Sequence, residues 1–202
     1  MARIIVCRHG NTFDKGDVVT RVGGRTDLPL STSGQAQAEA LSRHFAGTQF
    51  TAAYCSSLRR TQETAAAILN ARDHGPELRI LPFLTEIDYG PDENVAEDKV
   101  VARIGEDAMR AWEEDSRVPD GWTVDKGAIH AGWKGLLAEA SRLPGDATLL
   151  VVTSNGIARF LPDVVDAVPV GLQPKLKTGA WGEISCNPGT RILAWNLRPE
   201  PA

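Results

Sequence analysis

Four short apolar runs in this chain each stop abruptly at a polar or glycine-bearing cluster, and helical patterns fill the stretches between them. Ile4-Ile5-Val6-Cys7 ends at Arg8-His9-Gly10, and Ala52-Ala53-Tyr54-Cys55 ends at Ser56-Ser57. Leu78 to Leu84 is strand-like but broken by Pro82, and Glu86-Ile87-Asp88-Tyr89-Gly90 follows it. Leu149-Leu150-Val151-Val152 runs into Thr153-Ser154-Asn155-Gly156. Unalternated apolar runs of this length read as strands covered on both faces, which is how parallel strands are buried.

The intervening stretches supply the covering helices. Leu30-Ser31-Thr32-Ser33-Gly34 offers cap residues ahead of Ala36, Ala38, Ala40, Leu41 and Phe45, so a first helix starts near Thr32. Arg59 to Asn70 reads as an alanine-rich helix. Two more are predicted at about 96–115 and 126–142, separated by Pro119 and Gly121, and a further helical stretch follows Asn155. Glu183 to Cys186 and Arg191 to Trp195, joined through Asn187-Pro188-Gly189, read as a closing hairpin. The expected fold is an α/β three-layer α/β/α sandwich around a mostly parallel sheet. Residues 1–202 form a single domain in this reading, with 91–145 inserted as a small helical lid.

Composition narrows the function classes. The 202 residues are 42% hydrophobic, enough to bury one good core. The formal net charge of −4 leaves no basic excess for nucleic acid. No run of about 18 uncharged apolar residues is present, so neither a membrane partner nor export is expected and a cytoplasmic location is. Cys7, Cys55 and Cys186 are odd in number and widely spaced, which reads as buried free thiols rather than a disulfide framework or zinc site. A small soluble substrate fits best, while oligomeric state leaves no mark in the pattern.

Strand ends of one parallel sheet converge, and ligands gather outside them. That places Arg8 and His9, Arg60, Glu86 and Asn155 at one edge. A neutral imidazole is a competent phosphoryl acceptor. Two guanidinium groups beside it would clamp the equatorial oxygens and disfavour imidazolium. Glu86 is placed to protonate a departing alkoxide, with Asp88 two residues on as its rival. Arg59 reads as a solvated helix residue paired with Glu63. Asn155 is equally a turn residue or a ligand contact. His130 reads as structural, His44 and His74 as surface residues, and the five tryptophans as core or near-core.

Arg8-His9-Gly10-Asn11-Thr12 resembles the Arg-His-Gly-x-Thr signature of the histidine phosphatase superfamily, which includes cofactor-dependent phosphoglycerate mutases and many small-molecule phosphatases. Arg21-Val22-Gly23-Gly24-Arg25-Thr26-Asp27-Leu28-Pro29-Leu30, Ser33 to Ala38, Ser56 to Ala65 and Glu86 to Gly90 are similar to the family's later segments, in order, over nearly the whole chain. The resemblance implies His9 as nucleophile and Glu86 as acid and base, with Arg8, Arg60, Arg21 and Asn155 as phosphate-binding residues. It implies no metal and no organic cofactor, and a small phosphorylated substrate.

Two departures matter. Asp17 stands where many members have a phosphate-binding asparagine and is left out of the set. Asn155 stands where members carry a second histidine; its amide donates a neutral hydrogen bond but no charge. Losing such a donor costs roughly 3 kcal/mol, about two to three orders of magnitude in rate. The expected activity is phosphomonoester hydrolysis through a phosphohistidine at His9. A phosphate-ligand binding or regulatory protein is the alternative from another class. Mutase action is a second alternative, disfavoured because the stretch between Glu86 and the fourth strand is short for an elaborate lid.

Overall fold

The computed structural model describes residues 1–70 and 75–199, so His74 lies outside the described residues. Six strands form one sheet in the order β3-β2-β4-β1-β5-β6: β1 Arg3–Arg8, β2 Ala52–Cys55, β3 Leu78–Ile80, β4 Thr148–Thr153, β5 Trp181–Ser185 and β6 Arg191–Leu197. The first four are mutually parallel; β5 runs antiparallel to β1, and β6 to β5. The mostly parallel α/β fold expected from the apolar runs is therefore present.

Alternation along the strands divides the core in two. Ile4, Val6, Tyr54, Leu149 and Val151 point to one face, and Ile5, Cys7, Ala53, Cys55, Leu150 and Val152 to the other. Helices α1 (Thr32–His44) and α2 (Arg59–Asn70) cover the second face through Leu41, Ala65, Ile68 and Leu69. Ser31 caps α1 by accepting from the Gly34 N–H at 3.2 Å, so this helix starts where the serine-threonine cluster predicts. The three cysteines are buried free thiols.

The middle of the chain departs from expectation in four places. The third strand ends at Ile80, because Pro82 opens a 3-10 turn, Pro82–Leu84, in place of further ladder. The single helix expected at about 96–115 is two, α3 (Glu97–Ile104) and α4 (Glu106–Asp115), broken at Gly105, whose φ is 88°. Helix α5 (Lys126–Arg142) has the expected bounds but is packed on the sheet through Ile129, Trp133, Leu136, Leu137 and Ala140. Of the stretch 91–145 read as a lid, α5 therefore belongs to the layer over the first face. The helix after Asn155 is a single turn, α6 (Asn155–Ala158), with a 3-10 turn following at Pro162. No helix among the described residues is long and apolar enough to cross a membrane.

Candidate active site

Because β2, β4 and β1 are adjacent and parallel, the loops after them open on one side of the sheet. There a cleft of about 480 Å³ is lined at its base by Arg8, His9, Glu86 and Asn155. Arg60 backs this group from the first turn of α2 and is fully buried.

The main chain around His9 is tied to three elements. His9 N–H donates to the Thr153 carbonyl of β4 at 3.1 Å, Gly10 N–H to Thr64 Oγ1 of α2 at 3.2 Å, and Gly179 N–H to the His9 carbonyl at 3.2 Å. Gly10 is required where it stands, since a Cβ there would lie 2.3 Å from the Gly34 carbonyl oxygen of α1. The His9 Nδ1 lies 2.7 Å from the Gly10 carbonyl oxygen. A carbonyl only accepts, so Nδ1 carries the proton and the lone pair is on Nε2. Arg60 Nε donates to that Nε2 at 3.2 Å. Burial, and then the charges of Arg60 and Arg8, hold the His9 pKa well below its ordinary value against the opposing pull of the Gly10 carbonyl. His9 is thus a neutral imidazole whose unprotonated nitrogen accepts from a cation.

Both arginines are aimed by main-chain carbonyls. Arg60 donates from Nη1 to Thr26 O at 2.8 Å and from Nη2 to Gly23 O at 3.1 Å. Arg8 donates from Nη1 to Leu176 O at 3.0 Å, while its buried Nε has no hydrogen-bond partner among the described residues. Burial lowers the pKa of each, and Glu86 is the first charge to oppose the shift. Guanidinium nevertheless keeps its proton in proteins, so the base of the cleft is cationic.

Glu86 and Asn155 are held the same way. Glu86 Oε1 accepts from Ile87 N–H at 3.0 Å and Oε2 from Gly156 N–H at 3.3 Å. A Cβ on residue 156 would come within 2.1 Å of Oε1, so only glycine lets the carboxylate approach. Asn155 Oδ1 accepts from Leu176 N–H at 2.9 Å. Since that partner is a donor, the amide orientation is determined and Nδ2 is a donor without a partner among the described residues.

The other residues singled out from the sequence separate cleanly. Asp88 is turned toward Arg25, 3.0 Å from its Nε, and does not line the cleft. Arg59 is exposed and pairs with Glu63 at 3.3 Å. Asp17 is an exposed loop residue whose Oδ2 accepts from Asp14 N–H at 2.7 Å. His130 pairs with Asp163 at 3.1 Å and is likewise absent from the cleft lining. Arg21 does line the cleft, but its guanidinium stacks over Tyr89 and Trp122, 5.3 and 5.1 Å from the ring centroids, and bonds Glu97 through Nη2. Sequence reasoning missed Glu97, Glu113 and Lys175, which line the outer part of the cleft, and Leu176, which orients both Arg8 and Asn155. None of the four follows a strand, so the strand-end rule had no signal for them.

Comparison with known proteins gives the family and the fold. The family model described as histidine phosphatase superfamily (branch 1) matches residues 4–197. A 2,3-bisphosphoglycerate-dependent phosphoglycerate mutase 2 of Gloeobacter violaceus is 30% identical over 135 residues, 65% of this chain and 60% of that protein. The match thus spans less than two thirds of that relative's length. A probable phosphoglycerate mutase of an Enterobacter species is 30% identical over 165 residues, 78% of this chain and 71% of that one. The fold is also that of a mycobacterial glucosyl-3-phosphoglycerate phosphatase, with a TM-score of 0.76 at 22% identity over 96% of this chain and 98% of the other.

Proposed function

The chain belongs to the histidine phosphatase superfamily (branch 1) and is a phosphoryl-transfer enzyme of that type, and from this premise we propose that it hydrolyses a small phosphomonoester through a phosphohistidine at His9. The observation that carries the reading is a buried, neutral His9 that lines the cleft, with its unprotonated Nε2 bonded by the Arg60 guanidinium and the charge of Arg8 acting on the same ring.

In the first step Nε2 attacks phosphorus as the ester P–O bond breaks. Arg8, Arg60 and the Asn155 amide donate to the equatorial oxygens as charge spreads over them, and Glu86, entering the step as the carboxylic acid, gives its proton to the departing alkoxide and is left as the carboxylate. Arg60 must exchange its Nε bond to His9 for one to phosphate, which frees the lone pair when substrate arrives. In the second step water attacks phosphorus, the P–N bond breaks and Glu86 takes the water proton. The products are the alcohol and inorganic phosphate, with His9 neutral again. Arg21 contacts the substrate farther out, beyond the phosphoryl group. Residues 1–202 act as one domain in this scheme, with α3 and α4 as the lid.

Hydrolysis is favoured over mutase transfer because, of the stretch between Glu86 and β4, the cleft is lined by Tyr89 and by one residue each of α3 and α4, Glu97 and Glu113. A mutase must keep water from the phosphoenzyme, which calls for a larger closing element.

The test is an aryl phosphate assay together with labelling of the enzyme. Wild type is expected to turn over and to carry an acid-labile, base-stable phosphoryl group. His9→Ala is expected to lose at least about 10⁴-fold in rate, the scale on which removal of a nucleophile acts, and to carry no label. Undiminished activity in the variant rules the mechanism out. A wild type that binds phosphate with neither label nor turnover is instead a binding protein.

A further inference from the structure

Beyond the phosphoryl pocket the cleft is lined by two cations and two carboxylates, and each cation is already paired. Arg21 pairs with Glu97 of α3, and Lys175 with Glu113 of α4. These groups are half-buried, with side chains 11–41% exposed, so they are only partly screened by water. The two carboxylates sense each other: burial raises the Glu97 pKa most, Glu113 raises it further, and Arg21 and Lys175 oppose. Phe13, Val19 and Val22 supply an apolar edge to the same space. The cleft has room for a leaving group several times the size of phosphate.

We propose that this outer quartet selects an uncharged, hydroxyl-rich alcohol as the leaving group and rejects one bearing a carboxylate. The inference rests on the hydrolase reading and assigns the substrate class within it. A hydroxyl can donate to a glutamate and accept from Lys175 or Arg21 while both pairs persist. A carboxylate finds each cation already neutralised by a glutamate. It brings a third negative charge to two cations in a half-buried site, where it faces Glu97 and Glu113. The carbon skeleton of a polyol or sugar lies against the apolar edge.

Glycerol 3-phosphate and 3-phosphoglycerate form the matched pair for the test, since they differ chiefly by a hydroxymethyl group against a carboxylate. On wild type, kcat/KM for glycerol 3-phosphate is expected to exceed that for 3-phosphoglycerate by about tenfold or more. Glu113→Gln and Glu97→Gln each remove one repulsion and release one cation, so each is expected to shrink that ratio by about threefold or more. In parallel, both esters are titrated calorimetrically into the His9→Ala protein, which reads selectivity without turnover. Preference for 3-phosphoglycerate by rate or by binding, or a ratio that neither glutamine variant moves, overturns the inference. If wild type hydrolyses neither ester nor an aryl phosphate, the hydrolase reading fails, while the binding comparison still decides which leaving group the cleft accepts.

Discussion

The base and the rim of the cleft are held in different ways. At the base, His9 is oriented by the Gly10 carbonyl, Arg60 by the carbonyls of Thr26 and Gly23, Glu86 by the N–H groups of Ile87 and Gly156, and Asn155 by the N–H of Leu176. At the rim, Arg21 and Lys175 are oriented by Glu97 and Glu113. Main-chain partners survive any substitution that leaves the fold intact, whereas side-chain partners change with a single codon. The phosphoryl chemistry is therefore tied to the fold, and the choice of alcohol to composition.

The strongest challenge to that contrast is to move the base by one methyl group. Gly156→Ala would put a Cβ 2.1 Å from Glu86 Oε1 and force the carboxylate away. Loss of a positioned proton donor is expected to cost about 10²–10⁴-fold in kcat on an alkyl phosphate, and less on an aryl phosphate whose leaving group needs no proton. Equal losses on the two substrates would place the damage elsewhere than in proton transfer.

Asn155→His sharpens the comparison by placing an imidazole N–H donor at the base without disturbing its main-chain anchor. Imidazole Nδ1 can accept from Leu176 N–H as Oδ1 now does, leaving Nε2–H for the phosphoryl oxygens. Turnover is expected to rise by roughly tenfold or more, with little change in substrate affinity, because the added interaction strengthens in the transition state. A variant no faster than a slow wild type would count against the amide as a weakened donor.

The smallest effect is on stability. The depressed pKa of His9 means that below about pH 6.5 the unfolded chain binds a proton that the native chain does not. Stability from this group is thus complete above that pH and is lost as pH falls toward the native pKa, at up to about 1.4 kcal/mol per pH unit. Denaturant titrations from pH 7 to pH 5 are expected to show this slope in wild type and a shallower one in His9→Ala. Identical slopes would mean that His9 is not held neutral by burial.

Much of the base was legible in the chain, and little of the rim. Ile4 to Cys7 and Leu149 to Val152 could be placed because strands covered on both faces must be apolar throughout. His9, Arg60, Glu86 and Asn155 follow from the rule that strand ends converge. Arg60 was separable from Arg59 only by family register, and the structure gives the reason: the first is buried against His9, and the second faces Glu63 at the surface. Glu97, Glu113 and Lys175 come from three separate segments with helical or loop character, where a charged residue looks like any solvated one. The break at Gly105 was hidden because one glycine inside an amphipathic run is compatible with an unbroken helix. Asn155 and Leu176 are 21 residues apart in the chain, and nothing local to either announces their contact.

Gly105 carries a consequence for descent. It joins α3 to α4 in a backbone conformation with φ of 88°, and a side chain there would meet no neighbouring atom but would be strained. One glutamate of the rim lies on each side of this elbow. A lineage can therefore lengthen, shorten or re-angle one arm and keep the other, changing which alcohol is admitted while the sheet below goes on performing the same displacement.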